Sequence, residues 1–542
     1  MDEIEDVKNN KKNIILSSYT TALYKAIKEI KPKPRPDDMS VLTVSQTVSL
    51  FALIYERIRN AVEFREDHLI LRAAIERILK RRLMLNPMGK GEGENLLREL
   101  LWARYFDIGT IGYEDVNKAQ KIIDNYIFIR NKALVGRSTQ DVEYLNQFLL
   151  DLITAEIEET LLPNITAKKA LQSYFIYQVL KNKIKIEELS DQIKNIYFLV
   201  AIERTYRRSD KAYQRYHLFI NLYKKIIDFK KEELETFATK LPEILKKVDQ
   251  YINNLYVDNL VKYTKKQLPP FLILFEIINK KLESISEILT NKDKLWEEVD
   301  FICREKYQLI SHRVRNLAVR SFIYIFLTKM IFALILEVPL SKYFYGEINS
   351  QSILINTLFP PFLMTAILAF FKIPGEENTR RIYQRIIEII DKDMGFETKV
   401  AFVPKKSKPK RPTLIFGFTV LYTLTFIVTF SLIYEILTLL NFNLISQIIF
   451  VFFVSVVTFF SYRIKQITNE LKLQERESVF TPFFDFFFMP VLSVGKFFSQ
   501  EISKLNFLIF IFDFIIEAPF KLIIEVIEEW INFVKKRKEE II

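Results

Sequence analysis

A lysine inside a hydrophobic segment is the residue of this chain whose position most directly suggests chemistry. Lys329 lies near the middle of an apolar run that extends from residue 321 to residue 340. An ionisable side chain at bilayer depth marks an ion or proton path, or a structural pair between helices; its stem can also reach toward the interface. All three interpretations stay open, and because one lysine does not make a relay, the two structural ones are favoured over an ion or proton path.

Acidic residues near the C-terminus are the candidate partners of Lys329. Two C-terminal segments rich in aromatic and apolar residues contain Asp485 in the first and both Asp513 and Glu517 in the second. Each segment is about long enough to cross a bilayer, but each carries several charges, which cost roughly 2.5–3.5 kcal/mol apiece at mid-bilayer. We therefore expect interfacial or re-entrant helices, with six spanning helices as the alternative. Asp485, Asp513 and Glu517 can complete a polar site with Lys329 only if these segments enter the membrane.

Signatures of known enzyme classes are missing from the sequence. The three histidines, His68, His217 and His312, lie far apart, and Cys303 is the single cysteine, so a zinc site built from several cysteines is excluded. The glycine-rich segment 86–95 lacks the spacing of a phosphate-binding loop, and neither a nucleophile elbow nor a dinucleotide fingerprint occurs. We expect no cofactor and no metal. Folding could still gather two catalytic carboxylates, so the enzyme hypothesis is weakened and not removed.

The composition predicts an all-α protein. Only 11 of 542 residues are glycine, the residue on which hairpins and phosphate-cradling loops depend for their backbone angles. Apolar residues make up 49% of the chain, which is enough for a packed core. We predict a large cytoplasmic helical region followed by a polytopic helical transmembrane domain. The N-terminus lacks the basic and apolar pattern of a secretory signal, so we expect the helical region to stay on the side where it is made.

Four hydrophobic segments predict the transmembrane domain, and they cover residues 321–340, 353–371, 414–434 and 444–462. The last two contain no charged residue and have about the 20 residues that a spanning helix needs. The second is interrupted by Pro360-Pro361. This proline pair fits either a broken helix of the kind that transporters use or a passive kink.

Positive charge alternates between the connections of these segments. The residues before the first segment and after the fourth are basic, the connection 372–412 holds eleven Lys or Arg, and the two remaining connections hold one and none. Because basic loops stay cytoplasmic, we predict a multi-pass protein of the cell (inner) membrane with both termini cytoplasmic. The net charge of +12 is largely explained in this way, so we expect no nucleic-acid partner. Anionic lipid headgroups are the expected partner of the densest basic run, which consists of Lys405, Lys406, Lys408, Lys410 and Arg411.

Composition shifts divide the chain into five predicted parts. These are an N-terminal helix with a Pro-rich spacer (1–38), two soluble helical domains (39–163 and 164–317), the transmembrane domain (318–465) and an amphipathic tail (466–542). Pro163 and the pair Pro269-Pro270 are expected to break helices. At the end of the tail, an apolar helical face that contains Trp530 precedes four basic residues. This pattern fits a helix at the headgroups or one packed on the soluble region of the same chain.

Three functions follow from these patterns. The first is a non-catalytic, membrane-anchored scaffold or adaptor that docks lipid and unidentified protein partners. The second is a transporter, channel or membrane-remodelling component with a polar site around Lys329, which requires Lys329 to face the bundle interior beside a carboxylate. The third is a lipid-modifying membrane enzyme, which would need acids or histidines clustered at one membrane depth.

Overall fold

The computed structural model describes residues 13–37, 40–63, 67–186, 189–346, 349–369, 373–392, 401–402, 412–473 and 481–504, together with 526–527, 529–531, 533–534 and 537. This part of the chain is mostly helical; the rest consists of turns, short extended stretches, isolated β-bridges and one two-residue parallel pair, β1 (Ile184–Lys185) with β2 (Ala401–Phe402). The all-α prediction is confirmed.

Two compact units make up the chain. Unit 1 comprises Met1–Ser17, Lys266–Glu397 and Pro404–Asn506, and unit 2 comprises Ser18–Lys265, Thr398–Val403 and Phe507–Ile542. The five parts predicted from composition shifts remain a prediction, because the two units are defined by contacts and not by function.

Unit 2 is built from ten helices and the start of an eleventh within its described residues. They are α1 (Ser18–Glu29), α2 (Gln46–Glu63), α3 (Ile70–Leu85), α4 (Glu92–Trp102), α5 (Tyr113–Ala133), α6 (Thr139–Leu161), α7 (Pro163–Leu180), α8 (Asp191–Thr205), α9 (Lys211–Leu222), α10 (Lys231–Ile252) and α11 (Leu255–Lys280).

Local signals set several of these helix ends. The Ser138 hydroxyl accepts a hydrogen bond from the backbone N–H of Asp141 and so caps α6, and Asp210 caps α9 in the same way through Tyr213. Pro163 occupies the first turn of α7, where its missing N–H costs nothing, so the predicted break there is confirmed.

The prediction that Pro269-Pro270 breaks a helix is wrong, since α11 runs through both prolines. Both are buried, and the apolar side chains around them, Leu268, Phe271 and Leu274 among them, are at most 8% exposed. Burial of several such side chains, at about 1.5–3 kcal/mol each, exceeds the roughly 3 kcal/mol that an interior proline costs. Tertiary packing therefore overrides the local signal.

The end of the chain contributes to the core of unit 2. Ile531 packs against a cluster formed by Ala52 and Trp102. This contact agrees with the second of the two alternatives for the tail, packing on the protein's own helical region. Trp530 and Phe533 remain 64% and 59% exposed, so an apolar face of the tail is left uncovered.

Unit 1 contains the membrane-type helices. After α12 (Ile285–Thr290) come α13 (Lys292–Phe332), a π-helical turn (Ala333–Glu337) and α14 (Val338–Tyr345), which together form one continuous helix of 54 residues. Next come α15 (Ser350–Ala369), α16 (Glu376–Ile390), α17 (Pro412–Leu439), α18 (Leu444–Thr468) and α19 (Thr481–Lys504).

Four helices of unit 1 are long and apolar enough to cross a membrane: Lys292–Tyr345, Ser350–Ala369, Phe416–Leu439 and Leu444–Tyr462. They coincide with the four predicted segments. Only 6% of the apolar window in the third helix is buried within the protein, and Phe416 and Phe418 are about 70% exposed. So much exposed apolar surface is typical of a helix that faces lipid.

Two details of helix packing in this bundle go beyond what the sequence predicted. The helix α15 continues through Pro360-Pro361, and both prolines are buried. Of the two alternatives for this pair, the broken helix is therefore not found, and the passive one remains. In α19, an ideal Cβ on Gly495 would lie 2.0 Å from the carbonyl oxygen of Ser455. Glycine is therefore what allows α19 to pack so closely on α18.

Outside the apolar windows, α16 packs along the first half of α13. The rings of Trp296 and Tyr383 meet edge to face at 5.2 Å. The Asn378 amide donates to the hydroxyl of Tyr307 (2.8 Å) and to the carbonyl of Leu471 (2.9 Å). Asn378 thereby joins α13 to the segment that follows α18.

Candidate functional site

Lys329 and Glu337 form a fully buried ion pair on the 54-residue helix. Both side chains are 0% exposed, and the Lys329 Nζ lies 3.3 Å from Oε2 of Glu337. The ammonium also lies 4.7 Å from the centre of the Phe453 ring, a cation–π distance. Lys329 thus faces the bundle interior beside a carboxylate, as the transport hypothesis requires, and its stem does not reach the surface.

The π-helical turn explains how residues eight positions apart share one face. Eight residues of α-helix rotate by about 800°, which leaves the last one about 80° away from the first. A π-turn contains one residue more than an α-turn and so removes most of this difference. Because the turn covers Ala333–Glu337, it brings the Glu337 carboxylate onto the face of Lys329.

Two further helices complete what we call the Lys329 site, which consists of Lys329, Glu337, Asn356 and Ser446. The Asn356 Nδ2 on α15 donates to Oε1 of Glu337 (2.7 Å) and to the backbone carbonyl of Ser446 on α18 (3.1 Å). Asn356 and Ser446 are both 0% exposed. The site therefore links three of the four membrane-type helices by polar contacts.

Two oxygen atoms of this site have no hydrogen-bond partner in the described part of the chain. They are Oδ1 of Asn356 and Oγ of Ser446. A buried polar atom that makes no hydrogen bond costs free energy, and it is a place where an ion, a proton or a water would find a partner. The Lys329 site thus holds one cation, one anion and two unused acceptors.

A second polar layer lies where α14 and α18 approach their connecting turns. The Asn443 amide donates to the Ser341 hydroxyl (2.9 Å), and the Asn443 Oδ1 accepts from the backbone N–H of Ser446 (2.8 Å). The Asn349 amide donates to the carbonyl of Asn441 (3.1 Å). Polar groups therefore continue from the Lys329 site toward one end of the bundle.

The acidic partners that the sequence suggested cannot be placed beside Lys329. Asp485 belongs to α19, but its side chain lies outside the described residues, as do Asp513 and Glu517. The basic run of Lys405, Lys406, Lys408, Lys410 and Arg411 also lies outside them. Sequence reasoning missed Glu337, although this residue stands in the same apolar run as Lys329.

Unit 2 contains a separate cluster of buried charges around His217 on α9. Nε2 of His217 lies 2.7 Å from Glu159, and Nδ1 lies 2.7 Å from Glu203. Burial disfavours ionisation of Glu203, but His217 and Arg207 outweigh it and lower the pKa of Glu203 to about 2. Burial likewise lowers the pKa of His217, and the carboxylates outweigh it, so the net shift is upward. These residues form a tight carboxylate–imidazolium–carboxylate chain.

Two glutamates of α6 have pKa values close to neutral pH because of their surroundings. Burial raises the pKa of Glu156 to about 7, although its carboxylate accepts hydrogen bonds from the backbone N–H groups of Ile226 (2.9 Å) and Ile227 (2.7 Å). Burial also raises the pKa of Glu158 to about 7, and the hydroxyl of Tyr213 donates to this carboxylate. Perturbed acids of this kind are frequent at functional sites and also occur in structural networks.

A small pocket opens beside these charges, and we call it the Lys169 pocket. Its cavity volume is about 40 Å³, and its wall includes Glu158, Glu159, Lys169, Arg207 and His217. Among the described residues, no group of three His, Cys, Asp or Glu side chains is arranged to hold a metal ion. The pocket therefore offers charged hydrogen-bonding groups rather than a metal site.

Comparison with known proteins adds no assignment: no family model, no curated protein and no solved structure matches this chain.

Proposed function

We propose that this protein is a multi-pass membrane transport protein whose bundle passes a proton or small cation at the Lys329 site. The observation that carries the proposal is the fully buried Lys329–Glu337 pair on a helix long and apolar enough to cross a membrane. The unused acceptors on Asn356 and Ser446 support it, because a passing ion needs oxygen atoms to replace its water.

Energetics also favour a role beyond stability for this pair. Taking two charges out of water is costly, and well-packed apolar residues in their place are often neutral or stabilising. The 3.3 Å separation of Lys329 Nζ and Glu337 Oε2 is longer than the 2.7–2.9 Å that is typical of a charge-assisted hydrogen bond. The pair therefore lacks the short hydrogen bond that would best offset the cost of burying both charges.

The proposed topology follows the charge alternation between the segments. Both termini and unit 2 lie in the cytoplasm, the bundle lies in the cell (inner) membrane, and the basic connection 372–412 faces anionic headgroups. Four spanning helices are supported by length and composition. Within the described residues, the apolar part of α19 covers Phe488–Phe498. A non-spanning tail stays part of the proposal, with six spanning helices as the alternative.

A membrane-anchored scaffold is the second candidate function. It is favoured by the fact that each oxygen of the Glu337 carboxylate already has a partner inside the chain, on Lys329 and on Asn356. In this case the Lys329 site only ties α13, α15 and α18 together, and unit 2 carries the function by docking partners.

Flux measurements in liposomes separate the two functions. The purified protein is reconstituted, a potential is imposed, and H⁺, Na⁺ and K⁺ fluxes are followed with ion-sensitive dyes. We expect flux of at least one ion with the wild type and its loss in the double variant K329M/E337Q, which carries no buried charge at this site. The matched control is K342M, which removes an exposed lysine of α14 and keeps the wild-type flux. Equal fluxes with the wild type and K329M/E337Q, or none with the wild type, would favour the scaffold.

A further inference from the structure

The Lys169 pocket of unit 2 contains a charged group, the ammonium of Lys169, that has no hydrogen-bond partner among the described residues. Lys169 lines the pocket, and its ammonium makes no hydrogen bond and no ion pair with any part of the chain that the structure describes. It lies in the electrostatic field of Glu158 and Glu159 without contacting either carboxylate. A partly buried cation with three unused donors is a group that a ligand can satisfy.

Unused acceptors face the same pocket. Glu158 uses Oε2 to accept from Tyr213, and Glu159 uses Oε1 to accept from His217. The second oxygen of each carboxylate accepts no hydrogen bond from the described residues. The hydroxyl of Thr166, also in the pocket wall, has no partner there either. The residues of the pocket wall thus include an ammonium and carboxylate oxygens that have no hydrogen-bond partner among the described residues.

We propose that the Lys169 pocket binds a compact zwitterion, namely a free amino acid with a small side chain such as glycine or alanine. The ligand carboxylate pairs with the ammonium of Lys169, and the ligand ammonium pairs with the free oxygens of Glu158 and Glu159. The apolar Leu162 and Ile165, which also line the pocket, lie against the aliphatic part of the ligand.

Charges of both signs surround the Lys169 pocket, which favours a zwitterion over a simple anion or cation. The positive groups at the pocket are Lys169, Arg207 and protonated His217, and the negative groups are Glu158, Glu159 and, behind them, Glu203. Because burial raises the pKa of Glu158 to about 7, its carboxylate is only partly ionised at neutral pH, and the two sets do not fully cancel. A zwitterion can pair with both sets, whereas a simple ion can pair with only one.

The pocket volume selects a small member of the class. A buried water needs roughly 10–15 Å³ of such cavity volume, so about 40 Å³ admits about three water-sized groups. Glycine has five non-hydrogen atoms, so even the smallest amino acid fills this volume and extends to the pocket mouth. The volume excludes a bulky side chain unless that side chain points out of the pocket. The proposal concerns unit 2 and stands or falls separately from ion transport.

Calorimetric titration of the full-length protein in detergent with glycine and alanine tests the proposal. We expect saturable binding of one equivalent, and no saturation with acetate or methylammonium at the same concentrations. Lys169→Met should weaken binding about tenfold or more, as loss of a ligand-holding group typically does. Because Lys169 has no partner to lose, this variant should keep the wild-type melting temperature.

Lys168→Met is the matched control, since this neighbouring lysine does not line the pocket. It should bind glycine like the wild type. Acetate binding as tightly as glycine would show a simple anion site and overturn the proposal. So would equal losses in the two lysine variants, or no heat of binding for either amino acid with the wild type.

Discussion

Removal of one partner of the Lys329–Glu337 pair should destabilise unit 1 far more than removal of both. At 3.3 Å, two unit charges attract with about 5 kcal/mol at an effective dielectric constant near 20. Loss of one partner leaves the other charge buried alone, and such variants typically lose about 3–5 kcal/mol. We therefore expect losses of this order for K329M and for E337Q. The double variant K329M/E337Q should lie within about 1 kcal/mol of the wild type, which gives a coupling energy of several kcal/mol.

Trp296 offers a local probe for this double-mutant cycle. It packs edge to face on Tyr383 within unit 1, so its fluorescence reports unfolding of this unit once Trp102 and Trp530 are replaced by Phe. Unfolding by SDS in mixed micelles would be followed for the wild type, both single variants and the double variant. K342M, which changes an exposed lysine, should stay within about 0.5 kcal/mol of the wild type. A coupling energy below about 0.5 kcal/mol would refute the argument that the two charges hold each other in the bundle.

Three other changes have defined outcomes. Because burial raises the pKa of Glu156 from 4.5 to about 7, wild-type unit 2 should lose about 3 kcal/mol of unfolding free energy as pH rises from 4.5 through 7, and E156Q should lack this loss when Trp102 fluorescence is followed. Because the pKa of Glu203 is lowered to about 2, E203Q should reduce the free energy of unfolding by about 3 kcal/mol at pH 7. This difference in unfolding free energy between E203Q and the wild type should shrink as pH falls below 4.5, and a pH-independent difference would contradict the assignment. Gly495→Ala forces a Cβ against backbone and should destabilise the bundle by about 1–3 kcal/mol in SDS unfolding, whereas Gly417→Ala, with nothing within 4 Å, should not.

The helical architecture was predictable because its signals are local and repeated. Scarce glycine, the 3.6-residue periodicity and four apolar segments of spanning length are properties of the sequence itself. The helix starts at Ser138 and Pro163 were predictable for the same reason, since a capping hydroxyl and a first-turn proline act within a few residues. The break predicted at Pro269-Pro270 was wrong because the cost of a proline is local, whereas the packing that offsets it is tertiary.

Only part of the Lys329 site was predictable from the sequence. Lys329 stands out because a charge in an apolar run is visible in one dimension. Glu337 was missed because eight residues of regular α-helix would place it about 80° away from Lys329 around the helix axis. The π-helical turn brings it back to the face of Lys329, and no sequence signal predicted this turn. Asn356 and Ser446 come from other helices and carry no signal that distinguishes them from other polar residues in apolar segments. The Lys169 pocket depends on contacts among α6, α7 and α9, which no motif encodes.

The continuous helix from Lys292 to Tyr345 has a mechanical consequence. At 1.5 Å per residue it measures about 80 Å, more than twice the roughly 30 Å of a bilayer's hydrocarbon core. Tyr307, whose hydroxyl accepts a hydrogen bond from Asn378, lies about 33 Å from Lys329 along this axis. Because the helix is continuous between these two residues, we expect a displacement of Tyr307 by α16 to be passed along its backbone toward Lys329. One helix thus connects the part of unit 1 outside the apolar layer to the charge inside it.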